Sequence, residues 1–563
     1  MVSRFLIVIL LFGMFSCFSF AQESFDLNEV KYQRKSIASI DQVVVLSDDY
    51  NLINASTVQT ILEPHIALSR FDRNLLPQSL SQLFLDAVYV TANHTVESLG
   101  RLIKDIYANE IQLILTDPSI QKARIEQFKE TDVFTFEYGK GKSYSVTASD
   151  LEKLFSSAFF YIPYISNSRF TKTYFTKKVD DTETKMKKIS VGVDAGVIWY
   201  QIKVLPDQSI TVQFVENIGV SSYETDNKLA SNNNDDDTVN DLLLSCLTNI
   251  GIQLSYHTKK MSVFNLRGRI DSVNNNELQL DLSVKDGVAL DDYFWIMEDY
   301  QSEDGYKSKP VGLTFVSEFV DDQTKFPFSK ATQIFGNKHH VGSWVKESPR
   351  YGVSLKMNLG YINGFHLDSR DSLINSDYFF QNDVSSAVGF DFSLSYLLSK
   401  SLLTVPYSQL FFDLNFGFAP LSMEYGNLID RSYSPLSSLQ GIYFGFRKLF
   451  WLNQVAYQPF FYFGRHQFNI SENGIFSFFN EDESDDTMFE LNQSVFKFGV
   501  SIEKMILPYV LVNASFFKTL SIGSPSRQYV LNYDSIFSSS YEDVASHSKL
   551  NLGGFLLGVH VLF

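Results

Sequence analysis

Seven ionisable side chains in the last third of the chain have the types and spacing to act together. They are Lys356, Asp391, Asp413, Arg447, Lys497, Glu503 and His560. Most of them have an apolar residue on each side, so on a β-strand they would occupy the face opposite the apolar one. Charges enclosed in an interior must pair, because solvation there is poor. The spacing therefore predicts a network of internal ion pairs. The sharper alternative is a gated path for protons or ions.

The sequence contains no motif of enzyme chemistry. A catalytic His–acid pair built on His560 would need a nucleophile, and no HExxH, CxxC, GxSxG or Walker pattern occurs in the chain. The tripeptide GKS at 141–143 resembles the end of a P-loop, but Phe136 stands where its first glycine would be. His339 and His340 are adjacent, so they would point to opposite faces of a strand. We predict no catalytic residue, no cofactor and no metal site.

Two acidic runs are best explained without chemistry. The DDD run at 235–237 does not have the spacing of a calcium-binding loop, and Asp237 or Thr238 can cap a following helix. The second run is typical of a solvated loop. It consists of Asp482, Glu483, Asp485 and Asp486.

The elements that would position the seven charges are strands. Eight segments alternate between apolar and small or polar residues, and this period of two predicts β-strands with one apolar face. They are 351–361, 390–398, 412–418, 442–447, about 455–468, 496–503, 510–516 and 554–563. The alternation in the fifth segment is blurred by aromatic residues on both faces.

Two features favour a closed membrane barrel over a water-soluble sandwich or lectin-like domain. The apolar faces are rich in Phe, Leu and Tyr, while the other faces carry Gly, Ser, Asn and single charges, as the narrow interior of a small barrel requires. The connections also alternate in length, as in outer-membrane barrels. The long ones are 362–383, 424–438, 471–490 and 521–547, and the short ones are 399–407, 452–454 and 505–508. A barrel of eight strands is filled by its own side chains, so we do not expect a porin.

Residues 350–563 resemble the eight-stranded outer-membrane β-barrels of Gram-negative bacteria. In that group the terminal aromatic strand is the signal that the barrel-assembly machinery reads. Five residues here match that pattern, namely Phe563, Val561, Val559, Leu557 and Phe555. The resemblance implies outer-membrane lipid and the barrel-assembly machinery as partners. It also implies that the short connections and both barrel ends face the periplasm.

The N-terminus and the composition indicate export. Residues 1–21 combine Arg4, an apolar run over 5–18 and a small-x-small site at 19–21, which predicts a cleaved signal peptide. A retained anchor helix and a lipoprotein attached at Cys17 are the alternatives. Cys246 is then the single cysteine of the mature chain, so no intrachain disulfide can form. The formal charge of -17 argues against a nucleic-acid partner.

The part in front of the barrel is predicted to be soluble and mixed. Residues 22–224 have the patterns of an α/β (α+β) domain with hairpins at 132–147 and 189–217. Residues 225–261 are predicted as an acidic linker followed by a helix, because Asn and Asp are concentrated there. Residues 262–345 alternate short strands with turns, which suggests a small β-barrel-like module of SH3 or OB type. We expect residues 22–345 to lie in the periplasm.

Three functions are compatible with this layout. The first is a non-enzymatic anchor that presents the periplasmic part to peptidoglycan or to a periplasmic protein. The second is a component of an export or envelope-assembly complex, since the barrel alone is too narrow to pass cargo. The third is a barrel enzyme, which would need a nucleophile and a base at the outer rim. We expect the first.

Overall fold

The computed structural model describes most of the chain in separate stretches. They are 32, 34–39, 42–46, 55–75, 81–82, 85–87, 133–138, 142–147, 159–179, 182–204, 210–232, 234–302, 305–320, 328–337, 340–366, 378–380, 386–401, 407–421, 425–427, 436–471, 487–529, 544–545 and 549–563. The predicted signal peptide at 1–21 and the acidic run at 482–486 lie outside this described part. The chain divides into two compact units. One is Lys31–Leu266 with Ser283–Val288, and the other contains Arg267–Leu282 and Ala289–Phe563.

The first unit is built on a mixed sheet with the strand order β3-β1-β6-β7-β8, and β2 pairs with β6. The strands are β1 (Lys35–Ser39), β2 (Val44–Val45), β3 (Phe71–Leu75), β6 (Phe159–Val179), β7 (Thr182–Val204) and β8 (Ile210–Leu229). The strand β1 pairs in parallel with β3 and with β6, and β2 pairs in parallel with β6. The long strands β6, β7 and β8 pair antiparallel. A separate hairpin joins β4 (Val133–Tyr138) to β5 (Lys142–Thr147). Both predicted hairpins are therefore present, and the second is longer than predicted.

Two helices cover one face of this sheet, α1 (Ala55–Ile66) and α2 (Asp235–Lys260). Alternate residues of β7 from Val191 to Trp199 point into the shared core, as period two requires. The helix α2 adds Cys246 and Ile250 to that core at a spacing of one turn. Cys246 is buried, and its thiol lies 3.4 Å from the backbone oxygen of Val191.

Of the acidic linker and helix predicted at 225–261, the helix is present at Asp235–Lys260 and the linker is wrong. Residues 225–229 continue β8, and the helix that follows packs in the core of the same unit. Three aspartates, Asp235, Asp236 and Asp237, form the first turn of α2. Carboxylates there are stabilised by the positive end of the helix dipole, so this acidic run begins a helix rather than a loop.

The second unit begins with a closed barrel of six antiparallel strands in the order β10-β13-β12-β11-β14-β9. Its strands are β9 (Arg267–Asn274), β10 (Glu277–Leu280), β11 (Tyr293–Ser302), β12 (Gly305–Val320), β13 (Phe328–Gly336) and β14 (Trp344–Ser348). A 3-10 turn at Val284–Asp286 lies between β10 and β11 and belongs to the first unit. Most of the interior is apolar, with Phe294, Ile296 and Val345 fully buried on one face of the strands. A small β-barrel is present as predicted, and of the two suggested types, SH3 and OB, the OB type has five strands, one fewer than this barrel.

Eight antiparallel strands close a second barrel at the C-terminal end, which confirms the predicted fold class. They are β15 (Val353–His366), β17 (Ser386–Leu397), β18 (Leu410–Leu421), β20 (Leu436–Lys448), β22 (Val455–Ser471), β23 (Thr487–Leu507), β24 (Val510–Tyr529) and β26 (Lys549–Leu562). The last strand pairs with the first, from Ser354 opposite Leu562 to His366 opposite Lys549. Several strands run beyond the predicted segments into the long connections. The alternation stops there because the outward positions become polar, although the backbone ladder continues.

Short elements complete the unit. The strands β16 (Tyr378–Phe380) and β19 (Tyr425–Asn427) pair with each other. The strand β21 (Phe450–Leu452) pairs with β22, and β25 (Val544–Ala545) pairs with β24. A single helical turn, α3 (Leu398–Ser401), follows β17. Among the described residues, no helix is long and apolar enough to cross a membrane.

Candidate functional site

The seven charges singled out by their spacing all lie inside the eight-stranded barrel. Their exposed fractions range from 0% for Asp413, Glu503 and His560 to 7% for Asp391. Each projects from a strand position between outward-facing neighbours, so the alternation of the strands alone brings them into one interior. They form two neighbouring groups of ion pairs.

The first group is centred on Glu503. Lys356 Nζ donates to Glu503 Oε1 at 2.9 Å, and His560 Nδ1 lies 2.8 Å from Glu503 Oε2. Lys356 also donates to Gln458 and Ser501 at 3.1 and 3.0 Å. Both carboxylate oxygens and the ammonium group are therefore satisfied by protein atoms, as a buried ion pair requires.

The guanidinium of Arg447 connects this group to Asp413. Arg447 Nε donates to Asp413 at 2.8 Å, and Tyr462 donates its hydroxyl to the same carboxylate at 2.6 Å. Arg447 Nη2 lies 3.4 Å from His560 Nε2 and donates to Ser354 at 2.8 Å. The guanidinium carbon is also 4.3 Å from the centre of the Phe411 ring. Arg447 is thus held on several sides.

The second group joins Asp391 and Lys497. Their side chains approach to 2.5 Å, and Asn415 and Asn358 donate to the other carboxylate oxygen at 2.7 and 3.1 Å. The Lys497 ammonium also lies 4.6 Å from the ring centre of Tyr443, a cation–π contact. The polar partners of these ion pairs were not predicted, because single Asn and Tyr residues in a strand carry no motif.

A histidine that the sequence did not single out lies deeper among the aromatics. His466 Nε2 lies 2.7 Å from the Tyr443 hydroxyl, and His466 Nδ1 lies 3.1 Å from the backbone oxygen of Leu550. The blurred alternation of the fifth predicted strand concealed its inward direction. Every second residue of a strand faces the same side, so counting from the inward Tyr462 leads to His466.

Apolar side chains become more frequent toward the long connections. A buried cluster packs at this end of the barrel. It includes Ile362, Ala419, Leu421, Leu439, Phe468, Leu491, Leu550 and Leu552. His466, Gln493 and Thr519 are buried in the same layer and bind the backbone of Leu550 or Leu552. The layer is thus mostly apolar and closely packed, which favours a sealed barrel over a gated path.

The outward positions of the same strands are large, apolar and exposed. Among them are Leu359, Tyr361, Phe390, Phe392, Leu394, Phe412, Phe416, Phe444, Phe446, Phe461, Phe463, Phe498, Val500, Ile502, Phe516 and Leu557. A belt of this size around a closed antiparallel barrel is suited to hydrocarbon and not to water. Residues 353–562 form an outer-membrane β-barrel.

The predicted assembly signal lies on the lipid-facing side of this outer-membrane barrel. Phe555, Leu557, Val559 and Val561 alternate with inward residues and pair with both β15 and β24. Phe563 follows the strand and is 49% exposed. Recognition of these residues by the assembly machinery stays a prediction.

Comparison with known proteins finds outer-membrane proteins of low similarity among the solved structures. No protein-family model matches the chain, and no curated protein matches it. A major outer membrane protein from Thermus thermophilus is similar over 37% of this chain and 99% of its own, with 13% identity and a TM-score of 0.24. Neisserial surface protein A is similar over 38% and 97%, with 13% identity and a TM-score of 0.21. OprG from Pseudomonas aeruginosa is similar over 38% and 97%, with 10% identity and a TM-score of 0.23.

The three short connections of the outer-membrane barrel hold the six-stranded barrel. Each connection ends in a non-glycine residue with a left-handed backbone, namely Gln409 (φ 55°), Gln454 (φ 63°) and Tyr509 (φ 68°). Such residues are uncommon and mark places where the surroundings determine the backbone. Each of the three side chains contacts the six-stranded barrel. We call this set of contacts the joint.

Asp291 is the polar centre of the joint. Gln409 donates to its carboxylate from the backbone at 2.8 Å and from the side chain at 2.9 Å, and Ser399 donates at 2.5 Å. Burial raises the pKa of Asp291 above its ordinary value, although these hydrogen bonds and the charge of Lys400 favour the ionised form. Lys400 Nζ lies 2.5 Å from Asp292. Burial alone would lower the pKa of Lys400, but the neighbouring carboxylates raise it.

The other two short connections contact the six-stranded barrel beside this centre. Tyr509 shares a hydrogen bond of 2.5 Å with Ser348 and lies under the Arg350 guanidinium, which is 3.8 Å from its ring centre. Gln454 donates to the backbone oxygen of Gly336 at 2.7 Å. Apolar residues of both barrels form one buried cluster around these contacts. It contains Tyr293, Leu313, Phe315, Ile334, Met505, Leu511 and Leu562.

Among the described residues, no group of three or more His, Cys, Asp or Glu side chains could hold a metal ion. The joint was not predicted from the sequence, since its residues belong to short turns of ordinary composition. The one available signal was a turn that reverses the chain without glycine, as at Pro508-Tyr509.

Proposed function

We propose that this protein is a non-enzymatic outer-membrane anchor that holds an interaction domain in the periplasm. The observation that carries the proposal is the joint, which fixes the six-stranded barrel to the short-connection end of a barrel whose interior is already filled. In outer-membrane barrels the short turns face the periplasm. Residues 22–345 are then periplasmic, and the long connections face the cell exterior.

The filled interior supports anchoring over transport. The ion pairs around Glu503 and Asp391 satisfy each other, and a closely packed, mostly apolar layer lies between them and the long connections. The six-stranded barrel shares its apolar cluster with the other end. A barrel that passed solute would need a polar and hydrated path instead.

The contacts of the joint support a rigid attachment of the six-stranded barrel to the eight-stranded barrel. If the six-stranded barrel moved away, the buried hydrogen bonds to Asp291 would break. The contacts of the three left-handed turn residues would be lost as well. These contacts hold the six-stranded barrel at a constant distance from the membrane. The partner of the periplasmic part, residues 22–345, is peptidoglycan or a periplasmic protein.

The test is to express the full chain in a Gram-negative host and to recover its outer membranes. Samples compared on a denaturing gel before and after boiling should show a heat-modifiable band. Protease added to intact cells should cut within the long connections and spare residues 22–345. Planar bilayers that contain the purified protein should show no steady conductance. A soluble protein, a stable channel, or cleavage of the predicted periplasmic part in intact cells would each contradict the proposal.

A further inference from the structure

Lys518 is a cation on the lipid-facing side of the outer-membrane barrel. It occupies an outward position of β24 and is exposed. Its outward neighbours along the strand are Phe516 and Leu520, which are 56% and 50% exposed. On the adjoining strands it lies opposite Phe498 of β23 and Gly553 of β26. None of these four positions carries a carboxylate. An ionisable residue that faces lipid is costly unless it has a polar partner, so Lys518 marks a candidate binding site.

An open position lies beside Lys518 on the same outer face. Gly553 has no side chain, and on its other side it pairs with the exposed Asn363 of β15. A Cβ atom at Gly553 would lie 3.3 Å from Asn363 Oδ1, so the amide leans over the glycine. The pairing of β15 with β26 shifts by a bulge directly after Asn363, and bulges redirect side chains. Lys518, Gly553 and Asn363 thus form one row across three neighbouring strands, which we call the notch.

The height of the notch indicates which part of the membrane it meets. Lys518 follows Val510, the first residue of β24, by eight residues. At about 3.3 Å per residue and a strand tilt of about 40°, it lies about 20 Å from the short-connection end of an apolar band about 25 Å tall. A lysine side chain can also extend its ammonium group toward the headgroups. The notch therefore lies at the edge of the band that is nearer to the long connections.

A second lipid-facing lysine shows what the notch adds. Lys504 of β23 is exposed near the short connections, and four apolar residues occupy the outward positions around it. They are Ile502, Ile506, Val455 and Val512. Both lysines can reach headgroups by extending their side chains. Only Lys518 of these two has an open position and an amide next to it on the outer face.

We propose that the notch binds one phosphate group of the phosphorylated glycolipid that forms the outer leaflet of an outer membrane. The ammonium of Lys518 supplies the positive charge, the amide of Asn363 donates a hydrogen bond, and Gly553 leaves room for the phosphate oxygens. The acyl chains then lie on exposed apolar side chains such as Phe516 and Phe498. This lipid contact goes beyond anchoring, and only its assignment to the outer leaflet rests on the proposed orientation.

The experiment measures lipid adducts of the full-length protein in detergent by native mass spectrometry. The probes are lipid A with two phosphates and lipid A without phosphates, and we expect a tight adduct with the first probe only. Lys518→Met should weaken this binding about tenfold, because a hydrogen bond to a charged group is lost. Lys518→Arg keeps the charge and should retain the adduct. The matched control Lys504→Met should leave the affinity unchanged. A heat-modifiable band verifies that each variant is folded.

Two further variants test the notch separately from the charge. Gly553→Leu fills the open position, and Asn363→Leu removes the amide, so each should also weaken binding although Lys518 is intact. If Gly553→Leu does not fold, Gly553→Ala repeats the test. Equal binding of the two probes, equal losses from Lys518→Met and Lys504→Met, or a folded Gly553 variant that binds as the wild type does would each overturn the proposal.

A third probe, phosphatidylglycerol, distinguishes the source of the phosphate. We expect weaker binding than with lipid A, and equal binding would overturn the assignment to the glycolipid. Protein in detergent has no leaflets, so the outcome does not depend on the orientation of the barrel. A failure of the anchoring function and a failure of lipid binding are therefore distinguishable.

Discussion

The two barrels of the second unit share an architecture and have opposite polarity. The six-stranded barrel is mostly apolar inside, where Phe294, Ile296 and Val345 are fully buried. The eight-stranded barrel encloses charges such as Asp413 and Glu503 and exposes phenylalanines on its outer face. Closure of the backbone ladder satisfies the hydrogen bonds of both. The solvent outside, water in one case and hydrocarbon in the other, decides which side chains must face inward.

The largest expected effect comes from breaking the polar interior of the eight-stranded barrel. Glu503→Leu leaves Lys356 and His560 buried without their carboxylate, and we expect a loss of about 3–5 kcal/mol in unfolding free energy. The measurement is the denaturant concentration at which half of the protein no longer runs as the folded, heat-modifiable band. The matched change Glu298→Leu removes a carboxylate that is 59% exposed on the six-stranded barrel and should shift the midpoint little. If both substitutions shift the midpoint equally, the buried carboxylate of the eight-stranded barrel matters no more than the exposed one of the six-stranded barrel, which would contradict the prediction.

A charge on the outer face should come next. Phe444 is 49% exposed on the lipid-facing side, and Phe444→Lys is expected to cost about 2–4 kcal/mol if it lies near the bilayer midplane. The yield of folded protein in outer membranes and the denaturant midpoint should both fall. Val341 is 64% exposed beside the six-stranded barrel, and Val341→Lys should leave both unchanged. A tolerated lysine at Phe444 would argue against a lipid belt.

A smaller effect is expected at the joint between the two barrels. Gln409→Asn keeps an amide and a residue type that accepts a left-handed backbone, but its shorter side chain cannot reach Asp291. The loss of this buried hydrogen bond should cost about 1–3 kcal/mol. Protease should then release the six-stranded barrel at a lower urea concentration. Gln301→Asn, at an exposed position of β11, is the control. If the urea concentration needed for release does not change, Gln409 does not hold the joint.

The smallest effect concerns pH. Because burial raises the pKa of Asp291, the folded joint binds this proton more tightly than the unfolded chain does. The stabilisation is fully present below the unfolded pKa of about 4 and is lost as the pH rises through the higher folded value. Protease release should therefore become easier over that window in wild-type protein and not in Asp291→Asn. The raised pKa of Lys400 acts only at alkaline pH and leaves this window unaffected. Release that becomes easier toward acid would contradict the prediction.

Alternation in the sequence was enough to assign faces. Residues such as Asp391, Lys497 and His560 were predicted to be inward, and Phe555 and Leu557 outward, because side chains on a strand alternate. The pairing of the charges could not be predicted. Lys356 and Glu503 are 147 residues apart in the chain, and they meet only because closure of the barrel brings β15 and β23 to facing sides.

Local composition misled the prediction where a helix followed a strand. Residues 225–241 have the composition of a loop, yet the structure uses them to end β8 and to begin α2. Packing of α2 against the sheet outweighs the weak preference of Asn and Asp for loops. The sequence likewise contained no sign that Gln409, Gln454 and Tyr509 would meet the six-stranded barrel, since a left-handed turn residue has no motif unless it is glycine.

By itself, the sequence determined the number of barrel strands, the faces of their residues and the apolar belt, because these follow from a period of two along a single strand. Only the tertiary structure decided which charges pair and how the six-stranded barrel is held. These features depend on residues far apart in the chain, and closure of a barrel brings them together.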